Sequence, residues 1–206
     1  MSEENPAQSG AMPDAIADTE ATANGVIPPI VNLEETVVSR RPLGSGNITA
    51  TDTSLCTVRR LKHELADISV NPPPYCCVSI KAETLFQWNA IVNGPIGTVY
   101  EGGHFCLDLR FTPSYPFKPP QVRFLTRIYH CNVDRCGTIC LDVLGERWSP
   151  IITVSKILFS IYLLMAECNP NDPLDSYIAD MYKTNRMEHD RIARYWTKRF
   201  AIPAGE

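Results

Sequence analysis

Cys140 and Asn132 lie a short distance apart in a stretch of chain without a regular hydrophobic period. A cysteine thiolate can carry an acyl group as a thioester, and an amide donor can stabilise the oxyanion that forms when this group is attacked. Asp172, further along the chain, supplies a carboxylate that can orient an attacking amine and accept its proton. These residues predict acyl transfer through a thioester on Cys140.

Each of these residues also has a structural interpretation. A cysteine between apolar neighbours such as Ile139 and Leu141 is more often buried than reactive. Asparagine commonly ties loops through hydrogen bonds to the backbone, and an aspartate after a helix break is often a cap. The sequence shows no base next to Cys140 that would lower a thiol pKa from its usual value of about 8.5.

The eight cysteines of the chain are predicted to be reduced thiols, because no secretion signal precedes them. The cluster of Cys131, Cys136 and Cys140 does not have the spacing of a zinc site. We therefore predict no metal and no cofactor, and we interpret most of the cysteines as buried structural thiols.

The composition, with 44% hydrophobic and 20% charged residues, is that of a soluble globular protein. No apolar run approaches the ~20 residues that span a bilayer, so no membrane contact is predicted and the expected location is the cytoplasm or nucleus. No basic stripe interleaved with aromatic residues is present, which argues against a nucleic-acid partner.

Two regions differ in composition. Residues 1–52 are acidic, contain no lysine and show no sustained apolar period, which predicts a disordered extension. Residues 53–206 are predicted to form the folded domain, beginning with a helix capped by Thr53 or Ser54. The apolar face of this helix is predicted from residues at helical spacing: Leu55, Val58, Leu61, Leu65 and Ile68.

The elements after this helix predict an α+β domain. Short alternating segments indicate four strands in an antiparallel meander with one buried face. A long aperiodic loop at about 129–150 carries Cys140, and loops of this length are usually functional. Three helices follow, the last capped by Asn185.

The chain resembles the ubiquitin-conjugating enzymes over about residues 55–202. The resemblance is carried by five motifs in the family's order: Tyr115–Pro120, Ile128–Asn132, Ile139–Asp142, Trp148–Pro150 and Asn171–Leu174. Cysteine in the middle of His130–Asn132, together with the N-terminal extension, is similar to one subgroup of the family. In that subgroup, lysines of the extension become self-modified and restrain the activity. The extension of this chain has no lysine, which predicts that this restraint is missing.

The resemblance implies the ubiquitin-conjugating-enzyme fold, a cis Tyr115–Pro116 bond and a defined reaction. A ubiquitin-activating enzyme passes ubiquitin to Cys140 as a thioester, and a RING- or HECT-type ligase then promotes its transfer to a lysine of a substrate protein. It also implies that Asn132 stabilises the oxyanion or orders the loop that does so. Support of the active site is expected from four residues: Tyr129, His130, Leu141 and Asp142.

Two further surfaces follow from the resemblance. The ligase-binding surface is expected to contain Arg60, Phe117, Lys118, Trp148, Ser149 and Pro150, although Trp148 also has a structural interpretation as a core residue. Cys77 occupies the position on the outer sheet face where the family commonly has a serine that contacts a second, non-covalent ubiquitin. This replacement leaves binding of a second ubiquitin open.

Three alternatives remain at the level of the sequence. The modifier could be a ubiquitin-like protein instead of ubiquitin. The chain could be a non-catalytic relative, but such variants usually lose the nucleophile that is present here as Cys140. It could also be a cysteine hydrolase using Cys140 and His130, although no protease-type signature accompanies them.

Overall fold

The computed structural model describes residues 50–81 and 84–202, so the predictions for the lysine-free extension fall almost entirely outside the described residues. One sheet of four antiparallel strands runs in the order of the sequence. Its strands are β1 Cys76–Ile80, β2 Gln87–Asn93, β3 His104–Arg110 and β4 Gln121–Phe124. The helices are α1 Ala50–Val70, α2 Val154–Ala166, α3 Ser176–Thr184 and α4 Arg186–Phe200. This confirms the predicted α+β class and the meander.

The first helix begins earlier than its cap residues predicted. Its backbone is helical from Ala50, which places Thr53 and Ser54 inside α1 rather than at its start. Alanine has the highest intrinsic helix propensity, so a helix can extend through residues that would otherwise cap it. The predicted apolar face was also wrong at Leu55, which is 52% exposed.

The sheet buries one face, as the alternation in the sequence predicted. In β2 the side chains of Trp88, Ala90 and Val92 are buried. Trp88 and Ala90 pair across the ladder with Leu109 and Leu107 of β3. Both β3 residues are also buried. The sheet, α1, α2 and α4 all contribute to one hydrophobic core, which gives the loops a rigid base.

The cis bond expected between Tyr115 and Pro116 is confirmed, and so is the side-chain cap of α4. The Asn185 side chain accepts a hydrogen bond from the backbone N–H of Glu188. Between β4 and α2 the chain contains no strand or α-helix, and its regular structure is limited to a short 3-10 turn at Asp142–Leu144 and isolated bridges. This is the long loop that the sequence predicted.

A buried carboxylate connects α1 to this loop region. Glu64 is 3% exposed, and one of its oxygens accepts hydrogen bonds from Arg60 Nε and, at 2.5 Å, from the Tyr115 hydroxyl. Its second oxygen accepts the backbone N–H of Val154 at 2.6 Å. Because Val154 begins α2, one side chain fixes α1, the proline-rich loop and α2 relative to one another.

We predict that Glu64→Gln lowers the free energy of unfolding by about 2 kcal/mol, since hydrogen bonds to a charged group are worth more than neutral ones. The NH₂ group of the new amide would also face hydrogen-bond donors, and it cannot accept hydrogen bonds from them. Urea unfolding measures the loss. Glu167→Gln, which changes an exposed carboxylate at the end of α2, is the matched control and should stay within about 0.5 kcal/mol of wild type. An equal loss in both variants would contradict the assignment.

Candidate active site

Cys140 lies in the long loop, directly after the bridge between Val133 and Ile139 and before the 3-10 turn. Its side chain is partly exposed, and its backbone N–H donates to the carbonyl of Asn132 at 2.9 Å. This hydrogen bond holds the two predicted catalytic residues in adjacent segments. The Cys140 thiol is therefore reachable from solvent, while its backbone is fixed.

The Asn132 side chain joins two loops that are distant in sequence. Its Nδ2 group donates to the carbonyl oxygens of Asn169 and Asp172, each at 2.9 Å. Its Oδ1 atom accepts the backbone N–H of Asn169 at 2.8 Å. The side chain is 1% exposed, so both amide hydrogens are used inside the protein. In this conformation Asn132 orders the loops around Cys140 and has no amide hydrogen left for an oxyanion.

His130 connects the same loop to α2. Its Nδ1 atom accepts the backbone N–H of Asn132 at 3.0 Å, and its Nε2 atom lies 2.9 Å from the carbonyl of Leu164 in α2. These partners require a neutral ring that is protonated on Nε2. Burial lowers the pKa of His130 to about 4, so at neutral pH the ring stays uncharged. This arrangement suits positioning rather than proton transfer.

Two carboxylates shape the electrostatics at Cys140. Burial raises the pKa of the Cys140 thiol, and the negative charges of Asp172 and Asp142 raise it further. The Asp142 carboxylate accepts hydrogen bonds from Val143 and Arg147. The exposed Asp172 carboxylate makes no hydrogen bond to the part of the chain that the structure describes. Asp175, not Asp172, caps α3, so the capping interpretation of Asp172 was wrong.

The remaining support residues line the base of the loop. Tyr129 is buried and its carbonyl accepts the Tyr100 hydroxyl at 2.7 Å. The Tyr129 hydroxyl lies 3.4 Å from the sulfur of Met181 in α3, so Tyr129 connects the loop to the C-terminal helices. Leu141 is half-buried and packs against the hydrophobic core.

The residues expected to bind a ligase come from three segments. The guanidinium of Arg60 in α1 donates to the carbonyl of Ile152 at 3.4 Å. The indole of Trp148 donates to the carbonyl of Pro116 at 2.9 Å, so Trp148 also has the structural role considered above. These hydrogen bonds hold the segments 115–118 and 148–152 next to each other and next to α1.

Phe117 is the most exposed aromatic side chain of this surface, at 70%. Lys118 and Pro150 are exposed and Ser149 is half-buried. Ile151 is 74% exposed and extends the apolar part of the surface beyond Phe117. An exposed phenylalanine held by a rigid, proline-containing loop is the kind of residue that anchors protein interfaces.

Cys77 is exposed on the outer face of the sheet, where its Cα pairs with that of Ile91 in β2. Ile91 is also partly exposed and pairs in turn with Cys106 of β3. The outer face thus carries a small row of apolar and thiol side chains at the position of Cys77.

Sequence reasoning missed two residues that hold the site. Asn169, the partner of Asn132, lies in the proline- and asparagine-rich stretch 168–173, and nothing in this local pattern indicates a contact with Asn132. Glu64 did leave a signal, because an acidic residue falls on the same helical face as Leu61 and Ile68. A charge on a buried face requires partners. Within 50–81 and 84–202, no three metal-binding side chains come together, and no helix is long and apolar enough to cross a membrane.

Comparison with known proteins gives the family of this chain. The ubiquitin-conjugating enzyme family model matches residues 60–197. This chain is a ubiquitin-conjugating enzyme family member. Among solved structures it is similar to the E2 domain of a ubiquitin conjugating enzyme from Toxoplasma gondii, with 39% sequence identity and a TM-score of 0.67. That match covers 70% of this chain and 99% of the Toxoplasma chain.

Membership of the family confirms the predicted ubiquitin-conjugating-enzyme fold, with its four-stranded antiparallel sheet and four helices. It also makes the chain a transferase of the ubiquitination system, whose members as a class work with ubiquitin, an activating enzyme and ligases. The segments around Cys140, Asn132 and Trp148 all fall within the matched residues.

We predict that this ubiquitin-conjugating enzyme loses stability as the pH falls from about 6.5 to about 4, because an unfolded histidine binds a proton that buried His130 does not. Above pH 6.5 this contribution is complete. Below the native pKa the loss levels off at roughly 3 kcal/mol. Urea unfolding across this range measures the slope.

The control compares two histidine variants. His130→Gln removes the titrating ring and should flatten the slope between pH 6.5 and 4. His63→Gln removes an exposed histidine of α1 and should leave the slope of wild type. An unchanged slope in His130→Gln would contradict this account of the loop.

Proposed function

We propose that this chain is a ubiquitin-conjugating enzyme that accepts ubiquitin from its activating enzyme as a thioester on Cys140 and transfers it, with a ligase, to substrate lysines. The observation that carries the proposal is a partly exposed Cys140 whose backbone is held by Asn132 and whose thiol feels the charge of Asp172. In thioester exchange, the Cys140 sulfur attacks the carbonyl of the ubiquitin C-terminal glycine and the thiol of the activating enzyme leaves.

The electrostatics support a thiol that reacts mainly in a complex. Burial and two carboxylates raise the pKa of Cys140, so the free chain holds little thiolate at neutral pH. A docked activating enzyme that brings positive charge next to the sulfur would lower this pKa. Low reactivity in the free chain protects Cys140 from small electrophiles and leaves the thiol available for the docked partner.

Asp172 is proposed to act on the attacking lysine. A lysine amine has a pKa of about 10.4 and is almost fully protonated at neutral pH, so it must lose a proton before or during attack. The negative charge of the exposed Asp172 carboxylate contributes to the raised pKa of Cys140, which supports a role for Asp172 near the thioester. From there it can orient the amine and accept its proton as the carbon–nitrogen bond forms and the Cys140 sulfur leaves.

Asn132 is proposed as a positioning residue. Its Nδ2 group holds the carbonyl of Asp172 and its own carbonyl holds the N–H of Cys140. It therefore holds the backbones of Cys140 and Asp172 in fixed positions relative to each other. His130 fixes Asn132 in turn by accepting its backbone N–H.

We predict that Cys140→Ala abolishes a reductant-sensitive ubiquitin adduct. The assay incubates the chain with activating enzyme, ATP and ubiquitin and separates the products on gels with and without reductant. The wild-type chain should form one adduct that reductant removes, since a thioester is cleaved by thiols.

Cys136→Ala is the matched control, because Cys136 is an exposed thiol in the same loop, and this variant should be charged like wild type. An adduct that survives in Cys140→Ala would move the nucleophile elsewhere. If the chain is charged by a ubiquitin-like modifier and its activating enzyme but not by ubiquitin, Cys140 remains the carrier and the proposed modifier is wrong.

We also predict that Phe117→Ala weakens binding to a RING domain that binds the wild-type chain by about thirtyfold, because truncating an aromatic anchor of an interface costs about 2 kcal/mol. Titration calorimetry measures the dissociation constant. Ile96→Ala removes an apolar side chain that is even more exposed than Phe117 but lies on the β2–β3 connection, and it should bind like wild type. Equal weakening in both variants would argue against a ligase surface at Phe117.

A further inference from the structure

A second thiol centre lies behind the loop that carries Cys140. Cys131 and Cys168 both line a cavity of about 120 Å³ between the loop, the end of α2 and the two C-terminal helices. Each thiol influences the pKa of the other. The Cys131 thiol and the backbone N–H of Asn169, the residue after Cys168, both reach Asn132 Oδ1, at 3.4 Å and 2.8 Å. The backbones of the two cysteines are therefore fixed next to each other.

The surroundings of Cys168 favour its thiolate. The polar Cys131 thiol, the Tyr182 hydroxyl and the positive charge of Arg186 all stabilise the Cys168 thiolate. The Arg186 guanidinium packs on the Tyr182 ring, 4.1 Å from its centroid, which holds both groups on this wall of the cavity. These contacts lower the pKa of Cys168 to about 7. Cys140 has the opposite environment, since burial and carboxylates raise its pKa.

We propose that Cys168 and Cys131 form a peroxide-reactive thiol pair, a modification site separate from Cys140, in which Cys168 reacts first and Cys131 closes a disulfide. The Cys168 thiolate attacks one oxygen of hydrogen peroxide, the O–O bond breaks, and the other oxygen leaves as hydroxide and takes up a proton to become water. The sulfenic acid that remains on Cys168 is then attacked by the Cys131 sulfur. The S–S bond forms, the S–O bond breaks, and a second water leaves with the Cys131 proton.

The geometry suits this sequence of steps. Cys168 is partly exposed and opens onto the cavity, whereas Cys131 is 1% exposed and reaches only groups inside the protein. Cys168 is thus the peroxidatic thiol that reacts with the oxidant, and Cys131 is the resolving thiol that reacts with Cys168. The disulfide would covalently join the segments that Asn132 joins by hydrogen bonds, and it would remove the Cys131 donor from Asn132 Oδ1.

Tryptic peptides separate this pair from Cys140. Cleavage after lysine and arginine gives the peptides 128–135 with Cys131, 136–147 with Cys136 and Cys140, and 157–183 with Cys168. The reduced full-length chain is treated with a small excess of hydrogen peroxide at pH 7, quenched with iodoacetamide and digested without reductant. Mass spectrometry follows each peptide with time.

The expected product is a cross-link between 128–135 and 157–183 that lacks two hydrogens and is split by reductant. It should form about tenfold faster than Cys140 is oxidised, because Cys168 holds far more thiolate. Cys168→Ser should abolish it, and Cys136→Ser, the matched control, should keep it. Oxidation of 136–147 before or together with the pair, or a cross-link that includes 136–147, would overturn the proposal. The measurement needs no activating enzyme and no transfer, so it stands or falls separately from the proposed function.

Discussion

The site depends on one buried amide. Asn132 donates both of its Nδ2 hydrogens to backbone carbonyls of the segment 169–172, and its Oδ1 atom accepts the N–H of Asn169. The backbone carbonyl of Asn132 also accepts the backbone N–H of Cys140. Because an unpaired buried amide is costly, the three side-chain hydrogen bonds are made together or lost together. The Asn132 side chain therefore sets the position of Cys140 relative to Asp172. Both of its own amide hydrogens are already used and are not available to the reacting atoms.

The rest of the fold keeps this amide in place. His130 accepts the N–H of Asn132 and is held against the carbonyl of Leu164 in α2. The N-terminus of α2 is fixed in turn by Glu64, which also binds Arg60 and Tyr115. The same buried carboxylate thus connects, through α2, the loop that carries Cys140 with the surface proposed to bind a ligase.

Much of this could be read from the sequence, because apolar alternation and helical spacing report directly on burial. Trp88, Ala90 and Val92 lie on the buried face as their period of two required. The start of α1 and the exposure of Leu55 could not be read, since helix ends and helix rotation depend on packing partners. The partners of Asn132 could not be read either, because Asn169 and Asp172 meet it only through the tertiary fold.

Hydrogen exchange at two backbone amides, measured beside single-turnover discharge to lysine, tests the role of Asn132 most directly. If Asn132 acts by positioning, Asn132→Ala should lose protection of the Asn169 and Cys140 N–H groups together with its discharge rate. Because this variant always removes the acceptor of the Asn169 N–H, the Cys140 N–H decides the test. If it stays protected while discharge falls about 10²-fold, this account is contradicted. Asn132 would then act on the oxyanion itself.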